Sequence, residues 1–480
     1  MGGMQSVATA LTRLGDLAAT PPVSRLALAF AAAGHELALV GGPVRDAFLG
    51  RTLHDLDFTT DATPEQILTI VTPISEAQWD IGRAFGTIGA KVAGETVEIT
   101  TYRADSYDGV TRKPEVVFGL SLEDDLLRRD FTVNAMALRL PGLTLVDPSN
   151  GIGDLMAGVL RTPISPEISF GDDPLRMMRA ARFTAQLGFT LDLDTAIAMD
   201  AMASSIRNIS AERVCEELCK LLLSDNPHGG LELLVDSGLL DIVLPEIPAL
   251  RLEVDEHHHH KDVYQHTLTV LDQAIGYEKS RESFPGGPDL IVRLAALFHD
   301  IGKPATRKLE PGGIVSFYHH DVVGAKLAKK RLRALRFDND TIAAVSRLIE
   351  LHLRFFGYTE GAWTDSAVRR YVRDAGDQLE RLHILTRADV TTRNRRKADR
   401  LGFAYDDLEQ RIRELAEQEE MAAVRPDLDG EQIMAILGVK PGREVGEAYR
   451  FLLEQRLDDG PLGAAEATRR LQAWWAGRGE

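Results

Sequence analysis

The sequence predicts an α+β protein: a small mixed sheet with flanking helices at the N-terminus, followed by an all-α remainder. Three observations predict it. Short apolar or alternating runs at 36–40 (ELALV), 55–59 (DLDFT) and 96–101 (TVEITT) read as strands of a small flanked sheet. From Asp173 to about Leu223 the pattern turns helical with few Gly or Pro, and helix prevails to the C-terminus. Breaks at 281–289 (RESFPGGPD), 311–313 (PGG) and 425–430 (RPDLDG) then mark loops or boundaries in a chain of 480 residues, long enough for roughly three domains.

Composition narrows the class. Hydrophobic residues make up 44% and charged residues 26%, which excludes a disordered tail or a fibrous repeat. The longest apolar run, Leu26 to Ala33, falls far short of the ~18–20 residues a membrane span needs, so no membrane partner is expected. Cys215 and Cys219 are the only two cysteines and cannot build a disulfide framework, which points to a reducing, cytoplasmic location. Their i, i+4 spacing places them on one helix face as buried thiols. The run His257 to His260 reads as native surface sequence.

Lys+Arg 55 against Asp+Glu 72 gives a net charge of −17, which excludes a uniformly basic RNA-coating protein. The average hides unlike regions. Residues 326–336 (KLAKKRLRALR) hold six basic residues and no acid, and residues 381–400 hold seven basic residues against two acids. Such stripes can contact phosphates even on an acidic protein.

The elements carry chemistry in order. The first strand meets Gly41-Gly42-Pro43 and then a helix predicted from Val44 to Leu49. Glycines there let backbone N–H groups approach a phosphate, and a helix start favours negative charge. Arg45, in the first turn, can clamp the same phosphates; no lysine follows as a Walker loop would require. Asp55 and Asp57 sit two apart in the second strand, so both carboxylates share a face. With Glu98 from the next strand as a third ligand, they can hold two divalent cations about 3.5–4 Å apart. Acids of this kind beside a phosphate cradle indicate nucleotidyl transfer.

A second constellation is GDDPLRMMRAAR at 171–182. Read as one helix, Asp173 and Arg176 are i, i+3 neighbours, with Arg179 and Arg182 continuing the interval. A carboxylate beside a guanidinium offers an acceptor and a donor, matching the amino donor and ring-nitrogen acceptor of cytosine and adenine. Guanine and uracil present the reverse pattern. Arg129, within Arg128-Arg129-Asp130, can reach a ribose or phosphate.

Taken together, LVGGPVRDAFLGRTLHDLDFTT (39–60), RRDFTVNAMAL (128–138) and DDPLRMMRAARF (172–183) resemble the bacterial/eukaryotic class of CCA-adding tRNA nucleotidyltransferases, within the poly(A) polymerase superfamily. The resemblance implies a nucleotidyltransferase-type sheet. It implies Asp55 and Asp57 as Mg2+ ligands, Gly42, Arg45 and Arg129 as phosphate contacts, Asp173 and Arg176 as the base-reading pair, and Arg179 and Arg182 as further nucleotide contacts. Its partners would be tRNA, ATP and CTP. Asp172 stands where that family usually has Glu, and residues 107–114 (YDGVTRKP) correspond to its mobile loop. His266, His299-Asp300 and Asp389, with His320 and His352 between, resemble the HD metal-dependent phosphohydrolases and imply a second divalent metal site. The segment 426–446 is similar to the helical tails of the CCA-adding family, which hold the tRNA elbow. The implied organisation is a head over 1–165, a neck over 166–255, an HD domain over 256–400 and a tail over 401–480. The rival readings are a poly(A) polymerase, and an HD phosphohydrolase whose front domain binds nucleotides.

Overall fold

The computed structural model describes residues 5–53, 55–82, 86–106, 115–118, 121–252, 262–281, 284, 286–311, 315–360, 363–392, 394–419 and 425–478. Residues 107–114 and the run His257 to His260 lie outside them. The chain forms two compact units, residues 1–243 and 244–480.

The first unit begins with helices Val7–Ala19 and Pro21–Ala32. Its strands follow as β1 (Leu37–Val40), β2 (Leu56–Thr60), β3 (Ala77–Gly82), β4 (Thr87–Val92), β5 (Glu95–Thr101), β6 (Arg103–Ser106), β7 (Glu115–Phe118), β8 (Ala137–Leu140) and β9 (Thr144–Val146). Seven of them form one mixed sheet in the order β3-β4-β5-β2-β1-β8-β9, and β6 pairs with β7 apart from it. The expected three strands are its core, each shifted by a residue or so. β1 is buried along its whole length, as a continuous apolar run at a sheet centre must be. Ala38 and Val40 pack with Tyr102, Leu122, Leu126, Ala135 and Ala137 in one cluster. On β5 the alternation is explicit: Val97 and Ile99 are buried while Glu98 is exposed. β2 and β5 run parallel with Asp57 opposite Glu98 and Phe58 opposite Ile99, so the acids share one face and the apolar residues the other.

The helix after β1 spans Gly42–Phe48, not Val44–Leu49, because Gly41 takes a positive φ of 71° and Pro43 sets the first turn. Further on, helix Leu175–Leu187 packs on helices Ala211–Leu222 and His228–Asp236. Gly230 permits the last contact: a Cβ there would lie 2.5 Å from the Ala181 carbonyl and from a Leu221 methyl.

The second unit is helical apart from one two-stranded ribbon, Lys308–Leu309 with Val315–Ser316. Helices Val263–Ser280, Leu290–Phe298, Asn339–Leu351 and Leu379–Ala388 pack around a shared core, and helix His320–Ala334 lies on Asn339–Leu351. Arg293, fully buried, is matched there by Glu278 at 2.9 Å. The last three helices, Gly430–Leu437, Arg443–Asp459 and Ala464–Ala476, enclose their own cluster of Ile433, Ala448, Leu452 and Leu471.

Candidate functional site

An open cleft of about 750 Å³ in the first unit is lined by Gly42, Arg45, Asp55, Asp57, Glu98, Arg129, Asp173, Arg176, Arg179 and Arg182 together. Residues up to 140 positions apart in sequence thus face one space. Asp57 and Glu98 lie side by side across the β2–β5 pairing, and Asp55 stands just ahead of the first residue of β2. Burial, and then the neighbouring carboxylates of Glu98 and Asp55, push the Asp57 carboxyl up to about 6, against the opposing pull of Arg129. Crowded acids on one face, one of them resisting ionisation, are the donor set a hard divalent cation fits.

Around these acids the cleft is lined with guanidinium groups, each held from behind. Arg45 donates from Nη1 to Asn134 Oδ1 at 2.7 Å and from Nε to Asp46 at 2.9 Å. Asn134 in turn donates to Asp130 Oδ1 at 3.1 Å, and Arg179 Nε donates to Asp130 Oδ2 at 2.8 Å. Burial alone would raise the Asp130 carboxyl; Arg179 and Asn134 outweigh it and hold it down to about 2. Arg182 donates to buried Glu217 at 2.6 Å, and Arg179 lies 3.6 Å from the same carboxylate. Arg45, Arg179 and Arg182 surround the Phe183 ring at 5.4, 5.6 and 4.1 Å from its centroid. Arg129 reaches Asp125, which also accepts from Thr59 on β2. The helix after β1 has only seven residues, so the guanidiniums, more than its macrodipole, make the cleft attractive to anions.

The base-reading segment differs from its expected form. Asp173 is not helical: it has φ −146° and ψ 98° between helix Pro166–Asp172 and helix Leu175–Leu187. Pro174 is the reason, since the residue before a proline is driven out of the α region. The Arg176 N–H donates to the Asp173 carbonyl at 3.0 Å, but their side chains turn to other partners. Asp173 Oδ2 accepts from Arg213 at 2.8 Å and Oδ1 from the Leu175 N–H at 3.1 Å. Arg176 donates to the Arg128 carbonyl at 2.6 Å and to Ser169 Oγ at 2.8 Å. Both side chains still line the cleft.

The second unit brings His266, His299, Asp300 and Asp389 together with His320 and His352. His266 Nε2 lies 3.0 Å from Asp389 and 3.5 Å from Asp300; His299 Nε2 lies 3.2 Å from Asp300 and 3.5 Å from Asp389. Two sets emerge among the described residues, His266-His299-Asp389 and Asp300-His320-His352, each with ligand atoms within 4.8 Å of one another. The Nδ1 atoms of His299, His320 and His352 donate to the carbonyls of Ala296, Phe317 and Ile349 at 2.8, 2.9 and 2.6 Å. That fixes Nδ1 as a protonated nitrogen in each ring and turns the three Nε2 atoms inward. Among the described residues the buried Nε2 of His352 has no hydrogen-bond partner, and that of His320 faces Asp300 Oδ1 at 3.3 Å. Burial would lower His299, but Asp300 and Asp389 overrule it and raise it to about 10, whereas burial and His299 lower His352 to about 4. Such a centre demands positive charge, and its imidazole and carboxylate donors fit divalent metal ions.

Comparison with known proteins decides the family. The model of the poly A polymerase head domain matches residues 37–161, that of a probable RNA and SrmB-binding site of polymerase A matches 188–250, and that of the HD domain matches 263–394. The chain is 34% identical over 446 residues to the A-adding tRNA nucleotidyltransferase of Deinococcus radiodurans, covering 92% of this chain and 95% of that one. It is 33% identical over 459 residues to the CC-adding tRNA nucleotidyltransferase of Thermus thermophilus, covering 91% and 93%. This chain belongs to the tRNA nucleotidyltransferase family. In structure it matches the Bacillus stearothermophilus CCA-adding enzyme in complex with CTP, with a TM-score of 0.68, 25% identity and coverage of 96% and 99%. As a nucleotidyltransferase with an HD domain, it accords with the sequence-derived resemblance. No helix among its described residues is long and apolar enough to cross a membrane.

Several cleft residues are not singled out by the sequence: Asn134 and Phe183, although inside the quoted motifs, and Gln186, Arg213 and Lys220 outside them line the cleft, and Glu217 supports it. One signal was available. Arg213, Glu217 and Lys220 recur at i, i+4 and i+7, a charged stripe on a helix whose buried face otherwise carries Val214, Leu218, Leu221 and Leu222. The two cysteines of that helix, expected buried, are half-exposed with sulfurs 4.0 Å apart.

Proposed function

We propose that this protein adds C, C and A to the 3′ end of tRNA without a template, using CTP and ATP with Mg2+. The gathering of the glycine turn, the three acids and the Asp173/Arg176 pair in one cleft carries this reading. Arg45, Arg129, Arg179 and Arg182 bind the triphosphate, and Asp173 and Arg176 meet the amino donor and ring nitrogen of the base. The terminal ribose 3′-hydroxyl attacks the α-phosphorus in line as the bond to pyrophosphate breaks. Mg2+ held by Asp55, Asp57 and Glu98 supplies a lowered hydroxyl pKa and charge neutralisation on the phosphates. In this division of labour residues 1–165 form the head, 166–255 the neck, 256–400 the HD domain and 401–480 the tail, and the reaction takes place in the cytoplasm.

Full-length relatives named for A addition alone and for CC addition alone make nucleotide range the decisive test. tRNA transcripts ending before CCA, or after CC, are incubated with each nucleotide singly and in pairs, and the products are sized. Two C residues from CTP followed by one A from ATP is the expected result. Addition of A only to the CC-ended transcript, of C only, or of long A tails assigns the chain to A addition, CC addition or polyadenylation. A second reading stands beside this one: His266, His299, Asp300 and Asp389, with His320 and His352, form a metal-dependent phosphohydrolase centre. Two ligand sets with inward-facing imidazoles favour it.

A further inference from the structure

Helix His320–Ala334 buries His320, Gly324, Ala328 and Leu332, a strict i, i+4 face. Its opposite side presents Lys326, Lys329, Lys330 and Arg333, all exposed. None of these four makes an ion pair among the described residues. Two cations of the other basic stretch of the second unit are taken up by its own fold: Arg381 pairs with Asp289 at 2.8 Å, and Arg387 with Asp406 at 2.7 Å and Glu409 at 2.8 Å, while Arg395, Arg396, Lys397 and Arg400 are exposed. Even within the same helix, Arg331 is taken by Glu246 at 2.9 Å. A chain of net charge −17 has ample carboxylates, yet leaves this row of four cations without one.

We propose that this row is a docking track for the phosphodiester backbone of RNA on the second unit. Lys326 to Arg333 spans about 10 Å of helix axis at about 1.5 Å per residue. Duplex nucleic acid offers a charge every ~1.7 Å of its own axis, so each of the four ammonium or guanidinium groups can find a phosphate. The lysines are flexible point charges, suited to a backbone and indifferent to base sequence. The choice of RNA as occupant rests on the proposed transferase reading; the uncompensated charge does not.

The test uses the full chain with Lys326, Lys329, Lys330 and Arg333 all changed to Gln, a helix former of similar length. Binding of tRNA lacking CCA, and of a plain RNA duplex, is measured by fluorescence anisotropy between 50 and 200 mM salt, as about the range over which such contacts weaken steeply. We expect a slope of log K against log salt shallower by about 3–4, and a dissociation constant raised about 10- to 100-fold near physiological salt. KM for CTP and ATP should stay as in the wild type, and K326R/K329R/K330R should bind like it. An unchanged slope with both RNAs overturns the proposal. So does binding of wild-type chain to phosphatidylserine vesicles but to neither RNA. Wild-type chain that binds tRNA in a stripe-dependent way but extends no end refutes the transferase reading while upholding the track.

Discussion

The head cleft and the HD centre both gather acids, yet they are built on opposite terms. In the cleft, cations and anions line an open space of about 750 Å³, and the arginines are tethered through their far sides to Asn134, Asp130 and Glu217. In the HD centre, His299, Asp300 and His352 are essentially without solvent exposure, and backbone carbonyls pin three of the rings. The first arrangement suits a large ligand that arrives, reacts and leaves. The second suits a small ion that stays. Preorganisation is therefore placed differently: behind the ligand-facing groups in the head, and in those groups themselves in the HD centre.

The sharpest way to break the comparison is to empty one site and watch the other. Asp55→Ala should lower incorporation of both C and A by about 10³-fold or more, while tRNA affinity and the metal content of the second unit stay unchanged. Steady-state incorporation and elemental analysis measure the two sides. Asp300→Ala, conversely, should weaken HD metal affinity by at least about 10- to 100-fold and leave CTP incorporation intact. Coupled loss of both activities in either variant would show that the two centres are not independent.

Smaller changes probe the tethering. Asp173→Ala should relax the choice of C and A over U and G by about 10- to 100-fold, as loss of one bidentate base contact would. Asn134→Ala frees Arg45 from its 2.7 Å anchor and should raise nucleotide KM about 10-fold with the fold retained, which thermal unfolding can verify. The smallest effect is in acid. Asp130, held down to about 2 by Arg179 and Asn134 against its burial, contributes stability that is complete above the ordinary carboxylate range. This contribution, about 2 kcal/mol, is lost as pH falls from about 4 to about 2. Asp130→Asn should make the acid limb of unfolding shallower by about one proton, and an unaltered limb would show that Asp130 is not the group titrating.

What could be read from the sequence was what is local. Gly41-Gly42, Asp55 and Asp57 sit within one strand–turn–helix–strand segment, so their shared face follows from the pitch of the backbone. His299-Asp300 at the end of an apolar helix is likewise self-contained. The misreadings arise where the chain doubles back. Asp173 looked helical because the 3–4 spacing of its arginines outweighed Pro174, and its partner Arg213 lies 40 residues on. Arg381 and Arg387 looked like free basic charge because Asp289, Asp406 and Glu409 reach them only after folding. Asn134 and Glu217 hold cleft arginines from behind; Asn134 lies within the motif at 128–138 and Glu217 outside any motif, and in neither does the sequence show which residue it holds.

Asp173 has two occupations at once. One oxygen closes the first turn of the helix that carries Arg176, Arg179 and Arg182, and the other is held by Arg213. On the proposed base-reading role, an incoming base displaces a guanidinium, so recognition is an exchange between two partners and not the capture of a vacant group. The same double duty narrows what evolution can place at this position. Asn or Ser at this position keeps a short acceptor for the Leu175 N–H, whereas alanine removes it. A change at Arg213 frees one Asp173 oxygen while the other still accepts the Leu175 N–H.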